Sequence, residues 1–381
     1  MKFVVDEKIP FLKGVLETAG AEVLYLSGAK ICRRDLIDAD GIIVRTRTNC
    51  GESILEGTKV KFIATATIGF DHIDTEYCDS KGIYWTNAPG CNSSSVAQYI
   101  CSALLNWSDS RGVDINGAAI GIIGVGNVGS KVAKVADALG MKVLLNDPPR
   151  QRKEGGDFVS IEKILHDADV ITLHVPLQDE GTDKTYHMAD DNFFREIRRK
   201  ALFVNSSRGE VVDSSALKRA IKDGIIRDAI IDVWEDEPDI DRELLALAKF
   251  ATPHIAGYST DGKANGTAMS VRAASKFFKL GLDGWFPEGV PLPSQTKIDV
   301  SDTESWASIL KAVNFSYDIK RDDKSLRSSP SDFEKLRGSY PLRREFPSFS
   351  VVSDSEDDRV RKIFNKLGFI LNCVQRDSKP R

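Results

Sequence analysis

The fold of this chain is decided by the stretch Gly124-Val125-Gly126-Asn127-Val128-Gly129. The apolar run before it, residues 119–123, predicts a short buried strand, and residues 131–139 after it predict a helix. A second apolar run, residues 142–146, ends at Asp147, which is 18 residues past the last glycine. Strand, glycine turn, helix, strand and acid in this order predict a βαβ unit that binds a dinucleotide.

The same residues indicate which dinucleotide it is. Glycines at these positions allow a tight turn and a close approach to a pyrophosphate, which the N-terminus of the following helix attracts. The carboxylate of Asp147 can accept hydrogen bonds from an adenosine ribose and would repel the 2′-phosphate of NADP. Arg150, Arg152 and Lys153 lie close by in the chain and weaken that preference slightly. We therefore expect NAD as the cofactor.

The composition bounds the class of protein. A chain of 381 residues is too long for one ordinary core, so two or three domains are expected. Its hydrophobic content of 41% and charged content of 28% are typical of a soluble globular protein. The net charge of -4 argues against nucleic acid or an anionic membrane as partner, and no apolar run approaches the roughly 20 residues of a membrane span.

Cysteine and histidine usage favours neither disulfides nor a metal. The cysteines are scattered without a CxxC motif, at Cys32, Cys50, Cys78, Cys91, Cys101 and Cys373. The histidines form no cluster with ligand spacing. The N-terminus has early acidic residues and does not resemble a signal peptide. We expect reduced thiols, no metal and a cytoplasmic protein.

Strand-like and helix-like stretches alternate along the chain, which predicts parallel sheets covered on both faces. In the first part we expect strands at residues 3–5, 21–26, 41–44 and 60–64, with a helix around residues 11–19. A long helix at residues 96–108 leads into the dinucleotide unit, which continues through strands at residues 170–174, 201–205 and 229–233.

A helix over residues 262–280 should return the chain to the first domain. Beyond a proline-rich stretch at residues 290–293 the character changes, with a strand-like segment at 349–352. The predicted fold class is α/β, with two Rossmann-like doubly wound parallel-sheet domains and a small C-terminal α+β domain. The expected boundaries are 1–95 with 258–288, then 96–257, then 289–381.

Candidate catalytic residues follow the strands of the dinucleotide unit, because ligands of open α/β sheets bind beyond the carboxyl ends of strands. Arg208 offers a planar guanidinium suited to a bidentate grip on a carboxylate. His254 suits the role of base for a hydroxyl proton, and a neighbouring carboxylate would fix its tautomer. Glu237 is the preferred carboxylate, with Glu235 and Asp236 as rivals.

In the order of these motifs the chain resembles the D-isomer-specific 2-hydroxyacid dehydrogenase family over roughly residues 1–285. The family's catalytic arginine, glutamate and histidine map onto Arg208, Glu237 and His254. The family's glutamate directly precedes a proline, as Glu237 precedes Pro238, which selects Glu237 from its rivals.

A narrower resemblance, over essentially the whole chain, is to the branch of this family that oxidises 4-phospho-D-erythronate in pyridoxine (vitamin B6) biosynthesis. The resemblance is most specific at residues 317–323 and 333–337, which lie outside the general family's domains. The resemblance implies NAD-dependent oxidation at C2 to (R)-3-hydroxy-2-oxo-4-phosphobutanoate. It also implies that residues 1–95 with 258–288 bind substrate, that residues 96–257 bind NAD, and that residues 289–381 take part in a homodimer.

The resemblance also implies individual contacts. The residues expected at the substrate are Thr46, Thr67 and Tyr258. Those expected around NAD are Gly124, Gly126, Asn127, Val128, Gly129, Asp147, Val175, Ser206, Ser207, Asp232 and Gly257. At the position of Val175 the family often has a small hydroxyl residue, so only the backbone can contribute here. Arg47 is an extra arginine, interpreted as solvated in preference to a ligand of the substrate phosphate.

Two other functions compete with this one. The first is another dehydrogenase of the family, of the phosphoglycerate or glyoxylate type. The second is a non-catalytic NAD-sensing protein, which a broken set of catalytic residues would indicate. A C-terminal basic patch of Arg337, Arg343 and Arg344 is interpreted as a solvated or dimer-contacting face and not as a nucleic-acid site.

Overall fold

The computed structural model describes residues 1–303, 305–353 and 357–373. The strands are β1 (Lys2–Asp6), β2 (Glu22–Leu26), β3 (Gly41–Val44), β4 (Phe62–Thr65), β5 (Tyr84–Thr86), β6 (Ala119–Ile123), β7 (Lys142–Asn146), β8 (Val170–Leu173), β9 (Leu202–Asn205), β10 (Asp228–Ile231), β11 (Phe250–Ala251), β12 (Lys297–Asp299), β13 (Ser350–Ser353) and β14 (Ile370–Cys373).

The α-helices are α1 (Arg33–Leu36), α2 (Glu52–Leu55), α3 (Thr75–Ser80), α4 (Ser93–Arg111), α5 (Asn127–Ala138), α6 (Pro148–Glu154), α7 (Ile161–Asp167), α8 (Asp191–Arg195), α9 (Ser214–Lys222), α10 (Arg242–Leu247), α11 (Thr260–Phe278), α12 (Ser305–Ser316), α13 (Ile319–Ser328), α14 (Phe333–Gly338) and α15 (Asp358–Leu367). Short 3₁₀ helices lie at Leu16–Ala19, Gly28–Lys30, Gly209–Val211, Pro330–Asp332 and Phe346–Ser348.

The chain divides into two compact units. The first contains residues 1–92 and 259–291, and its strands form a parallel sheet in the order β2-β1-β3-β4-β5. The strands β3 and β4 are buried throughout, because helices cover both faces of a doubly wound sheet. Helix α11 packs on β4, so the returning helix predicted from the sequence is confirmed in this unit.

One local prediction in the first unit is wrong. Residues 11–19 form turns and a short 3₁₀ helix in place of the expected α-helix. Phe11 and Gly14 have positive φ angles of 64° and 86°, which a right-handed helix does not accommodate. The apolar side chains of this segment still reach the core, since Leu12 and Leu16 are fully buried.

The second unit contains residues 93–258 and the described residues from 292 onward. Its main sheet is parallel, in the order β11-β10-β9-β8-β6-β7. The chain leaves β6 toward β7 on one side and returns to β8 on the other, so the strand order reverses beside β6. Ligands of open α/β sheets bind at such a switch point, and here Gly124 of the glycine stretch directly follows β6.

The C-terminal segment is built onto the same unit. Its small sheet is parallel, in the order β12-β13-β14. Helices α12 and α13 pack on α4, and α15 packs on α5. Helix α4 is therefore buried along nearly its whole length, from Ser93 to Ser108. Residues of the C-terminal segment such as Ile309 and Phe364 share one hydrophobic core with residues of α4 and α5.

The predicted fold class is confirmed: two Rossmann-like parallel sheets and a small C-terminal sheet. The division into three domains at 95, 257 and 288 stays a prediction. Free thiols are found at Cys32, Cys50, Cys78, Cys91 and Cys101, while the side chain of Cys373 lies outside the described part. In the described ranges, no helix combines the length and the apolar character that crossing a membrane requires.

Candidate active site

The glycine turn after β6 has the geometry that a dinucleotide needs. Gly124 has a φ of 85°, and a Cβ there would lie 2.7 Å from the backbone carbonyl of His174. A Cβ on Gly129 would lie 2.0 Å from the carbonyl oxygen of Gly124, so α5 can approach the turn this closely because residue 129 is glycine. A Cβ on Gly126 would meet nothing within 4 Å. The turn is thus packed closely against backbone at Gly124 and Gly129, whereas the space beside Gly126 is free of protein atoms.

Asp147 stands beside this turn, at the end of β7. Its carboxylate accepts hydrogen bonds from the backbone N–H of Val125 at 2.8 Å and of Arg150 at 3.0 Å. The side chain of Arg150 donates to the carbonyl oxygen of Val125 at 2.5 Å and pairs with Glu154. The acid predicted for the ribose is therefore anchored to the glycine turn.

Several features of this unit fit NAD. Helix α5 begins at Asn127 and has no side-chain cap, so the N–H groups of its first residues, Asn127 and Val128, are available to an anion. The Oγ of Ser206 is buried and has no hydrogen-bond partner in the described part of the chain. Ser207 donates instead to Asn205 Oδ1, at 2.8 Å from its Oγ. The open glycine, the uncapped helix and the hydroxyl without a partner among the described residues all follow strands of one parallel sheet, at its carboxyl edge.

Val175 and Asp232 occupy defined positions around the same edge. The side chain of Val175 lies against Gly124, since a Cβ on that glycine would be 2.9 Å from Val175 Cγ1. Asp232 is 1% exposed and accepts hydrogen bonds from Thr252 Oγ1 at 2.6 Å and from the N–H groups of Ile255 and Ala256 at 2.8 and 2.9 Å. Asp232 thus anchors the loop that carries His254. Contact with NAD stays a prediction for all eleven residues that the sequence places around the cofactor, Gly257 included.

The predicted pair of acid and imidazole is present. His254 Nδ1 lies 2.8 Å from Glu237 Oε2 and 3.1 Å from Oε1. Oε1 also accepts the backbone N–H of Trp234 at 3.0 Å, and His254 N–H donates to the carbonyl of Asp232 at 2.7 Å. With Glu237 as acceptor at Nδ1, the opposite nitrogen, Nε2, is left as a proton acceptor with no partner within the described residues.

The ionisation of Glu237 suits this role. Burial alone would raise the pKa of its carboxyl. The hydrogen bond and charge of His254, the Trp234 N–H and the charge of Arg337 outweigh burial, so the pKa lies below its ordinary value. A carboxylate that stays charged can hold the imidazole in one tautomer and stabilise it when it takes up a proton.

The structure separates Glu237 from its two rivals. Glu235 Oε1 lies 2.6 Å from Nε2 of His187, and its Oε2 accepts the backbone N–H of Ser214 at 2.9 Å. Asp236 sits at a positive φ of 58° in the turn between the two glutamates. Neither Glu235 nor Asp236 bonds His254. Distance along the chain does not distinguish the three acids, whereas the path of the backbone brings only Glu237 to the imidazole.

Arg208 follows β9 at the same edge of the sheet. Asn205 Nδ2 donates to the carbonyl of Arg208 at 2.9 Å, which fixes the turn, and one guanidinium nitrogen donates to the carbonyl of Ser207 at 2.8 Å. The side chain is half-buried, and its remaining N–H groups make no hydrogen bond among the described residues. The guanidinium is therefore fixed in position, and most of its N–H donors are available to a ligand.

The C-terminal segment reaches this site, which sequence analysis missed. Arg343 is 5% exposed and donates to the carbonyls of Ile255 and Ala256, 3.3 and 3.2 Å away, on the His254 loop. It also donates to Gln98 Oε1 at 2.9 Å and to the carbonyl of Ser95 at 2.6 Å in α4. Of the two expectations for the basic patch, a solvated or a dimer-contacting face, the solvated one is wrong for Arg343, because its donors bond Gln98 Oε1 and buried backbone carbonyls.

Arg337 lies at the site as well. It is within 3.9 Å of Glu237, and its guanidinium lies over the ring of Tyr258, 5.8 Å from the centroid. The ring of Tyr258, predicted at the substrate, packs edge-on against Tyr340 at 6.0 Å. No local pattern could have found these contacts, since they join residues 79 or more positions apart in the chain.

The remaining predicted substrate residues belong to the first unit. Thr46 is exposed and follows β3, and Thr67 follows the neighbouring strand β4. The hydroxyl of Thr67 donates to the carbonyl of Gly69 at 2.9 Å and lies 2.7 Å from that of Thr65. Both threonines therefore lie at the carboxyl edge of that sheet, and their contact with substrate stays a prediction.

Comparisons with known proteins agree with this geometry. Residues 99–256 match the family model described as D-isomer specific 2-hydroxyacid dehydrogenase, NAD binding domain, and residues 290–368 match a domain of unknown function (DUF3410). A protein of Bacteroides thetaiotaomicron named erythronate-4-phosphate dehydrogenase is 54% identical over 353 residues, which are 92% of this chain and 99% of the relative. The chain belongs to the erythronate-4-phosphate dehydrogenases, within the D-isomer-specific 2-hydroxyacid dehydrogenase family.

Solved structures extend the match. D-Lactate dehydrogenase of Aquifex aeolicus, complexed with NAD and lactic acid, is 28% identical with a TM-score of 0.60, covering 75% of this chain and 98% of its own. NAD-bound 3-phosphoglycerate dehydrogenase of Entamoeba histolytica is 28% identical with a TM-score of 0.62, covering 74% and 96%.

Membership of this family makes the chain an NAD-dependent 2-hydroxyacid dehydrogenase, and NAD its cofactor. The prediction of an oxidoreductase with that cofactor is confirmed. Within the part of the chain that the structure describes, no group of three His, Cys, Asp or Glu side chains is placed to hold a metal ion.

Proposed function

We propose that this enzyme oxidises 4-phospho-D-erythronate to (R)-3-hydroxy-2-oxo-4-phosphobutanoate with NAD, in pyridoxine biosynthesis. Among the observations, the Glu237–His254 pair supports the chemistry most directly, because Nε2 has no partner among the described residues and lies at the carboxyl edge of the sheet. The curated relatives named erythronate-4-phosphate dehydrogenase support the choice of substrate. A phosphorylated four-carbon hydroxy acid is thus the expected partner.

In the proposed mechanism His254 is the base. Nε2 takes the proton of the C2 hydroxyl, and the charge that forms on the imidazole is balanced by Glu237 at Nδ1, 2.8 Å away. Arg208 holds the C1 carboxylate and the C2 oxygen through its free N–H donors. Bound NAD supplies the acceptor for the hydride that leaves C2. The residues of the chain thus orient the acid and move one proton.

The cofactor would be held by the turn and strand ends described above. The open face of Gly126 and the N-terminus of α5 would take the pyrophosphate, and Asp147 the adenosine ribose. Ser206, with its orphaned hydroxyl, would donate to the bound cofactor. Because Asp147 carries a negative charge, NAD is preferred to NADP.

A panel of 2-hydroxy acids tests the substrate. Purified enzyme is assayed with NAD against 4-phospho-D-erythronate, D-erythronate, 3-phospho-D-glycerate, D-glycerate and D-lactate, with NADH formation followed at 340 nm. We expect kcat/KM for 4-phospho-D-erythronate to exceed the others by at least about a hundredfold. Activity confined to unphosphorylated acids, or greatest with 3-phospho-D-glycerate, contradicts the proposal and indicates another dehydrogenase of the family.

The working form is proposed to be a homodimer in the cytoplasm, with the C-terminal segment taking part in the contact between copies. Sedimentation equilibrium of the purified chain tests the dimer, and fractionation of cells tests the location. A mass near 42.0 kDa at micromolar concentration would contradict the dimer.

A further inference from the structure

Helix α14 brings a guanidinium from the domain of unknown function to the catalytic pair. Arg337 lies in the segment that matches that domain, residues 290–368. One of its terminal nitrogens, Nη1, is 3.9 Å from Glu237 Oε2, and that oxygen is 2.8 Å from the imidazole of His254. Its guanidinium also lies over Tyr258, which is predicted to touch the substrate. All four side chains belong to one compact unit.

This guanidinium has hydrogen-bonding capacity that the described residues do not use. Nη1 donates to Glu334 Oε1 at 3.1 Å, whereas Nε is buried without any partner in the described ranges. The aromatic rings of Tyr258 and Phe333 flank the group, with centroids 5.8 and 5.9 Å from its central carbon. A buried donor without an acceptor is unfavourable. The side chain as a whole is 21% exposed, so an anionic ligand can reach this arginine.

The segment that carries Arg337 also distinguishes this enzyme from its simpler relatives. Arg337 lies in the match to the domain of unknown function, residues 290–368, and outside the match to the family's NAD-binding domain, residues 99–256. The substrate proposed above carries a phosphate group on C4, and arginine is well suited to phosphate. We propose that Arg337 binds the phosphate of the substrate, an assignment that rests on the proposed function.

Positioning of Glu237 is the competing role, and the geometry favours it less. A separation of 3.9 Å is too long for a hydrogen bond. Glu237 is already held by His254 and by the Trp234 N–H. Among the influences on the pKa of Glu237, burial and these two groups come before the charge of Arg337. The catalytic pair is therefore complete without Arg337, which leaves this residue for the ligand.

The test compares the phosphorylated substrate with its unphosphorylated analogue in Arg337→Gln. We expect KM for 4-phospho-D-erythronate to rise on the order of 10- to 100-fold, since hydrogen bonds to charged groups are the strong ones. kcat/KM for D-erythronate and the Kd for NAD should stay within about threefold, and Arg337→Lys should recover part of the loss. Lys335→Gln, on the exposed side of the same helix, serves as control and should behave as wild type.

Inorganic phosphate provides a second readout that does not depend on the substrate. Its binding to the holoenzyme, measured by calorimetry, should be lost in Arg337→Gln and kept in Lys335→Gln. If the wild type prefers another hydroxy acid yet binds phosphate through Arg337, the proposed function fails and the phosphate site stands. The assignment would be overturned by equal losses of kcat/KM with 4-phospho-D-erythronate and D-erythronate, by a displaced pH profile of kcat, or by unchanged phosphate binding. Arg337 would then be a positioning residue.

Discussion

Replacing Glu237 with glutamine should trap the imidazole of His254 in the wrong tautomer. Glu237 Oε1 accepts the Trp234 backbone N–H at 3.0 Å, a donor that cannot change its role. The amide oxygen of glutamine must therefore face Trp234, which turns the amide NH₂ toward His254 Nδ1. Nδ1 then becomes an acceptor and Nε2 carries the proton, so His254 cannot accept one from the substrate hydroxyl.

The expected loss is large because the change alters a proton position and hardly any volume. The equivalent substitution in the serine protease triad lowers kcat about 10⁴-fold through the same tautomer error. We expect Glu237→Gln to lower kcat by roughly 10³- to 10⁴-fold, which corresponds to about 4 to 5.5 kcal/mol of transition-state stabilisation. The Kd for NAD should be unaffected, since Glu237 contacts the imidazole and not the glycine turn.

The assay is steady-state NADH formation with 4-phospho-D-erythronate, combined with a fluorescence titration of NAD binding. Glu235→Gln is the matched control, because Glu235 bonds His187 and Ser214 and not His254. It should keep more than about half of kcat. A Glu237→Gln enzyme within tenfold of the wild-type kcat would refute the tautomer argument.

Three further predictions follow from the structure. Asp147→Ala should shift the preference for NAD over NADP by about 10- to 100-fold in the ratio of Kd values, because a charged acceptor for the ribose is lost; an unchanged ratio removes Asp147 from that site. Arg343→Met should lower the free energy of unfolding by at least about 3 kcal/mol in urea titrations, since it leaves buried carbonyls on α4 and the His254 loop without a donor. A loss below about 1 kcal/mol would show that these hydrogen bonds of Arg343 do not stabilise the fold. Burial lowers the pKa of His174 to about 3 from 6.5, so between these values the unfolded chain binds a proton that the folded chain does not, and stability falls as pH falls through that window. His174→Gln should flatten this decline in Tm, whereas His166→Gln, at an exposed position, should leave it unchanged.

Much of the fold is visible in the sequence because it rests on local signals. Each buried strand of a parallel sheet is a short apolar run, and the glycine stretch at residues 124–129 marks the strand-to-helix turn. The prediction failed at residues 11–19, where spacing of apolar residues suggested a helix. Positive φ angles at Phe11 and Gly14 break the helix while the apolar side chains remain buried, and periodicity does not report backbone angles.

The candidate site shows the same limit more sharply. Residue type and position at strand ends make Arg208 and His254 candidates, but do not choose among the acids at 235, 236 and 237. The choice is made by backbone geometry, which directs Glu235 to His187 and Glu237 to His254. The sequence predicts a solvated or dimer-contacting face for Arg337 and Arg343, because the contacts that bury them come from distant parts of the chain.

In the proposed mechanism the imidazole of His254 is the base that removes the hydroxyl proton of the substrate. It is tested most directly by His254→Gln, assayed for NAD binding and for oxidation of 4-phospho-D-erythronate across pH. Loss of the imidazole should leave the Kd for NAD unchanged and bring kcat at least about 10³-fold below wild type at every pH. A variant that binds NAD normally and keeps more than a tenth of the wild-type kcat would contradict it.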